Sequence, residues 1–80
     1  MSDLFKTVER EMASSEARYG PFHSTHEGYG VLAEEVAELL DAIRENDIGL
    51  VEHEAIQVAA VALRLAALCD ADGPDEFRER

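Results

Sequence analysis

From Ala55 to Cys69 only Gln57 and Arg64 interrupt a run of apolar and alanine residues. The spacing predicts a helix over about 51–70 that is apolar nearly all round, and such a helix needs neighbours on more than one side. Val58, Val61, Leu65 and Leu68 project towards the same side as Glu54, whereas Ile56, Ala60, Leu63 and Ala67 project opposite. In a chain of 80 residues, a small domain at most, one further hairpin helix and a short third helix do not cover that surface. The expected architecture is therefore all-α. It comprises a helical hairpin and an N-terminal helix, completed into a four-helix-type bundle by homodimer or homotetramer formation. The alternation and the β-branched or aromatic runs of strands are nearly absent.

The stretch from His26 to Asn46 is the second amphipathic helix. Tyr29, Leu32, Val36, Leu39, Leu40 and Ile43 fall in one apolar sector, while Glu34, Asp41 and Glu45 point the other way. Glu35 and Glu38 sit at one edge of the apolar sector, beside Val31, Leu39 and Ala42. Carboxylates next to a buried face call for compensation by a shifted pKa, a cation or a metal. A solvated acidic flank is the plainer alternative, since Glu is a good helix former and common on surfaces.

Ahead of this helix, a first one is expected over about 3–18, capped by Ser2 or Asp3, with Leu4, Phe5, Val8 and Met12 at helical spacing. Tyr19-Gly20-Pro21 ends it. Ser24 and Glu27 have capping-box spacing, each side chain accepting from the other's backbone amide, which explains Glu27 without chemistry. His23 and His26 have no Cys or second His at zinc-ligand spacing and read as loop and cap contacts. Gly28 and Gly30 cost helix stability unless a backbone or ligand approaches them closely. Asn46 to Gly49 reads as a turn short enough to make helices two and three an antiparallel hairpin. Asp72-Gly73-Pro74 is expected to close the third helix, with residues 71–80 read as a charged tail of a single domain 1–80.

Charge and cysteine content bound the function. A formal net charge of −11 argues against direct binding of nucleic acid or an anionic membrane, although a phosphate ligand bridged by divalent cations remains compatible. The single Cys69 excludes an intramolecular disulfide and reads as a buried structural thiol. MSDLFKTVER has no apolar signal core, and no run is long enough to span a bilayer, so a cytoplasmic location is expected.

Glu35 with Glu38, and Glu54 with Gln57, are both i, i+3 pairs. Each pair places two side-chain oxygens on one helix face. Facing each other across a hairpin, they would surround a hard divalent cation, Mg²⁺ or Mn²⁺ rather than zinc, because no sulfur and no imidazole accompanies them. His53 projects about 100° from Glu54 and reads as a surface residue.

At this point the chain resembles a family. Glu34-Glu35-x-x-Glu38 followed by Glu54-x-x-Gln57 is similar to the metal motif of the all-α nucleoside triphosphate pyrophosphohydrolases, the MazG-like group, usually Glu-Glu-x-x-Glu and then Glu-x-x-Asp. Tyr19-Gly20-Pro21-Phe22, His26-Glu27-Gly28-Tyr29 and Ala55 through Ala62 also resemble small members, so the likeness spans about Phe5 to Leu68. It implies Mg²⁺-dependent hydrolysis of (deoxy)nucleoside triphosphates to monophosphate and pyrophosphate, with housecleaning of noncanonical nucleotides as the role. By position, Glu35, Glu38 and Glu54 would be metal ligands and Gln57 the fourth, with Glu34 assisting the attacking water. Lys6, His26 and Arg64 are candidate substrate-binding side chains. Gln57 departs from the pattern: an amide offers one oxygen but binds a hard cation more weakly than a carboxylate. The competing reading is a non-catalytic acidic helical oligomer that binds nucleotide, metal or a protein partner.

Overall fold

The computed structural model describes residues 2–70, which form three α-helices: α1 Ser2–Tyr19, α2 Thr25–Arg44 and α3 Ile48–Cys69. Every regular element among these residues is helical, as expected, and none is long and apolar enough to cross a membrane. The charged tail expected at 71–80 lies outside the described residues. Helix α3 is the centre of the arrangement, with both α1 and α2 packed against it. The two-sided apolar pattern of α3 is thus partly satisfied within one chain.

Local chemistry explains the boundaries. Helix α1 ends where Gly20 takes a φ of +75° and its N–H donates to Glu16 O at 2.9 Å, a left-handed C-terminal position that glycine adopts without steric cost. Ser24 caps α2, its Oγ accepting from Glu27 N at 3.0 Å. The reciprocal half of the expected capping box differs. The Glu27 carboxylate accepts from the backbone N–H of His23, one residue before the cap, and also lies 3.5 Å from His23 Nδ1.

The hairpin turn is tighter than the sequence reading places it. Asn46 stands at φ +59°, its N–H donating to Ile43 O at 3.1 Å and that of Asp47 to Ala42 O at 3.4 Å. These are the two bonds of a Schellman termination with Asn in the left-handed position. Asp47 then caps α3 directly, Oδ1 accepting from Leu50 N at 3.1 Å. Helix α3 therefore begins at Ile48, and Gly49 lies in its first turn instead of in the connection.

Packing corrects the projected inner face of α2. Gly28 and Ala42 are its buried residues, and Val31, Leu32, Glu35 and Leu39 are half-buried. Tyr29, Val36, Leu40 and Ile43 are exposed, Tyr29 to 66%. The helix has turned its glycine–alanine edge towards α3, because small side chains let two helix axes approach while bulky ones hold them apart. Gly28 shows the closeness: a Cβ there would meet Leu65 Cδ1 at 2.6 Å and Phe22 Cδ2 at 3.1 Å. Gly30, expected to be under the same constraint, has open space around it. Cys69 is exposed rather than buried. Among the described residues the buried apolar ones are Val8, Phe22, Ala42, Ala60 and Val61, and no large side chain is fully buried.

Candidate functional site

The Gly28–Leu65 contact sets the register of the antiparallel hairpin. Two turns along α2 from Gly28 is Glu35, and two turns back along α3 from Leu65 is Val58, next to Gln57. One more turn brings Glu38 level with Glu54 and Ala55. The side chains follow this register: carboxylate oxygens of Glu35, Glu38 and Glu54 all lie within 4.8 Å of one another. Glu35 and Glu54 are half-buried between the helices, and Glu38 is exposed at the rim.

Three carboxylates this close repel. The Glu35 carboxyl is pushed above its ordinary value of 4.5, first by burial, then by the charges of Glu38 and Glu54 and by a hydrogen bond shared with Glu54. His53 opposes the rise. That histidine is exposed, as its projection indicates.

Glu35 and Gln57 also line a cavity of about 420 Å³ that runs from them towards the α1–α2 loop. Phe22, Val31 and Val61 contribute apolar walls, and Arg18 with Tyr19 comes from the last turn of α1. The Arg18 guanidinium carbon lies 5.3 Å from the Tyr19 ring centroid. No periodicity marks Ser15, Arg18 or Tyr19 as cavity residues. They arrive there because α1 packs on α3 and the chain reverses at Gly20.

Arg64 borders the cavity from inside the fold, its residue only 8% exposed. Nε donates to Glu16 Oε2 at 2.8 Å, Nη2 donates to Gly20 O at 3.1 Å, and the guanidinium stacks 4.2 Å from the Phe22 ring centroid. A buried cation needs such compensation, and here it ties the end of α1 and the following loop to α3. Its polar contacts are therefore internal. Of the other expected substrate contacts, Lys6 is exposed on α1 and His26 is exposed in the first turn of α2, and neither lines this cavity. Glu34 is exposed and outside the three-carboxylate group.

Comparisons of the chain with family models, curated proteins and solved structures return no match.

The arrangement is chemically suited to a hard cation. All donors are carboxylate oxygens, and oxygens bound to one such ion at about 2.0–2.6 Å lie at most about 4–5 Å apart. The upward push on Glu35 comes first from burial and then from the neighbouring Glu38 and Glu54 charges, which a bound cation would offset.

Proposed function

We propose that this protein is a Mg²⁺- or Mn²⁺-dependent nucleoside triphosphate pyrophosphohydrolase, in keeping with its resemblance to the MazG-like group. The observation that carries the reading is the convergence of Glu35, Glu38 and Glu54 from two helices, with Glu35 also lining a cavity that has apolar walls. Phosphoryl chemistry depends mainly on positioning and charge neutralisation. A divalent ion held by the three carboxylates would neutralise phosphate charge and lower the pKa of a coordinated water. The protein's own share is to hold the carboxylates in register through the Gly28–Leu65 packing and to accommodate the nucleoside along Phe22, Val31 and Val61. The products of the reaction are the nucleoside monophosphate and pyrophosphate.

The same reading includes self-association. Tyr29, Val36, Leu40 and Ile43 form an exposed apolar stripe on α2, and Leu63 is exposed on α3. An 8.8 kDa chain with this much apolar surface outside its core favours a homodimer or homotetramer.

Pyrophosphate release from a panel of ribo- and deoxynucleoside triphosphates, with Mg²⁺ and with EDTA, tests the enzyme reading. Metal-dependent release that disappears in Glu38→Gln is expected. Absence of release across the panel, with Mg²⁺ still bound, would transfer support to the non-catalytic oligomer.

A further inference from the structure

Gln57 occupies the position at which a fourth metal ligand is expected, and it also lines the cavity that Glu35 borders. Three carboxylates, those of Glu35, Glu38 and Glu54, already converge from the two helices. Gln57 lines the cavity together with Glu35, whereas Glu38 and Glu54 are not among its lining residues. Along α3, Gln57, Val61 and Arg64 follow one another at intervals of four and three residues, so they form one stripe facing the cavity.

The Gln57 amide takes part in none of the side-chain hydrogen bonds among the described residues. No buried polar side-chain atom among them lacks a partner. The amide is therefore unpaired and solvent-accessible in a residue that lines the cavity. It carries an acceptor oxygen and a donor NH₂ side by side, a neutral pair suited to a neutral ligand edge and a weaker ligand for a hard cation than a carboxylate.

We propose that Gln57 is a ligand-reading residue, whose amide hydrogen-bonds the edge of a nucleobase placed between Val31 and Val61, and that the cation is held by the glutamates alone. This assignment rests on the nucleotide reading above. The base presents adjacent donors and acceptors of its own, so the amide pairs with one arrangement and leaves unsatisfied groups against another. Such a mismatch is the physical source of discrimination.

Calorimetric titrations of wild type and Gln57→Met separate the possibilities. Methionine matches glutamine in length, removes the amide and adds no charge beside Glu35. The probes are Mg²⁺ alone, then non-hydrolysable nucleoside 5′-(α,β-imido)triphosphates with Mg²⁺, varied in base at constant sugar and in sugar at constant base. Wild type should prefer one base by about tenfold or more, the scale of a hydrogen bond made or left unpaired. Gln57→Met should reduce that preference to about threefold or less, with Mg²⁺ affinity and the sugar preference unchanged. A base ranking retained in Gln57→Met, loss of sugar preference instead, or a tenfold fall in Mg²⁺ affinity would overturn the assignment. Analogues that bind wild type without any base preference would overturn it while leaving the nucleotide reading intact. If no analogue binds wild type, the nucleotide reading itself falls.

Discussion

Gly28 of α2 lies so close to Leu65 of α3 that a methyl group at position 28 would stand 2.6 Å from Leu65 Cδ1. This contact holds the hairpin in the register that brings Glu35 and Glu38 to Glu54. Gly30, two residues on, has nothing within 4 Å of such a methyl. The two glycines should therefore respond oppositely to alanine. Gly30→Ala gains helix propensity and should stabilise the fold by about 0.5–1 kcal/mol. Gly28→Ala gains the same propensity but must displace Leu65 and Phe22, and should lower stability by about 1 kcal/mol net. Urea denaturation of the pair measures both. Equal gains in the two variants would show that α2 and α3 are not closely packed at Gly28.

The Glu35 carboxyl gives a pH signature. Its pKa is raised in the folded state above 4.5, so between that value and the raised one the folded chain holds a proton that the unfolded chain has released. Stability of the metal-free protein should fall as pH rises through this window. The contribution is fully present below the ordinary carboxylate pKa and lost above the folded one. Because other carboxylates titrate nearby, the test is a comparison: in EDTA, Glu35→Gln should show a shallower fall than wild type. Parallel curves for the two would place Glu35 outside the cluster.

Metal binding should reverse that penalty. Under the proposed function, Mg²⁺ or Mn²⁺ at a hundredfold excess over its dissociation constant stabilises the folded state by about 2.7 kcal/mol. Thermal unfolding should report the gain in wild type and show most of it missing in Glu38→Gln. Glu45→Gln, at the exposed C-terminal cap of α2, should respond like wild type. Identical metal responses in both variants would return these carboxylates to a solvated acidic flank.

The exposed apolar stripe predicts assembly. Size-exclusion chromatography with light scattering at micromolar concentration should give a dimer or tetramer mass, and not 8.8 kDa. Leu40→Glu and Leu63→Glu each alter an exposed side chain, so each should shift the population towards monomer while leaving far-ultraviolet helicity largely intact. A folded wild-type monomer across that range would refute the assembly.

Local chemistry in the sequence was enough to determine the three helices, the break at Gly20, the cap at Ser24 and the i, i+3 pairing of Glu35 with Glu38 and of Glu54 with Gln57. Each depends on residues within a turn or two of one another, where capping and helical periodicity operate. Tertiary packing decided what no projection of one helix contains. It turned Gly28 and Ala42 towards α3 and left Tyr29, Val36, Leu40 and Ile43 outside. A hydrophobic projection records where apolar side chains lie, whereas the approach of two helices is governed by the size of the residues between them. Arg64 makes the same point across greater separation. Its partners Glu16 and Gly20 stand 48 and 44 residues away in the chain, so only the docking of α1 on α3 could supply the carboxylate and carbonyl that let this guanidinium be buried.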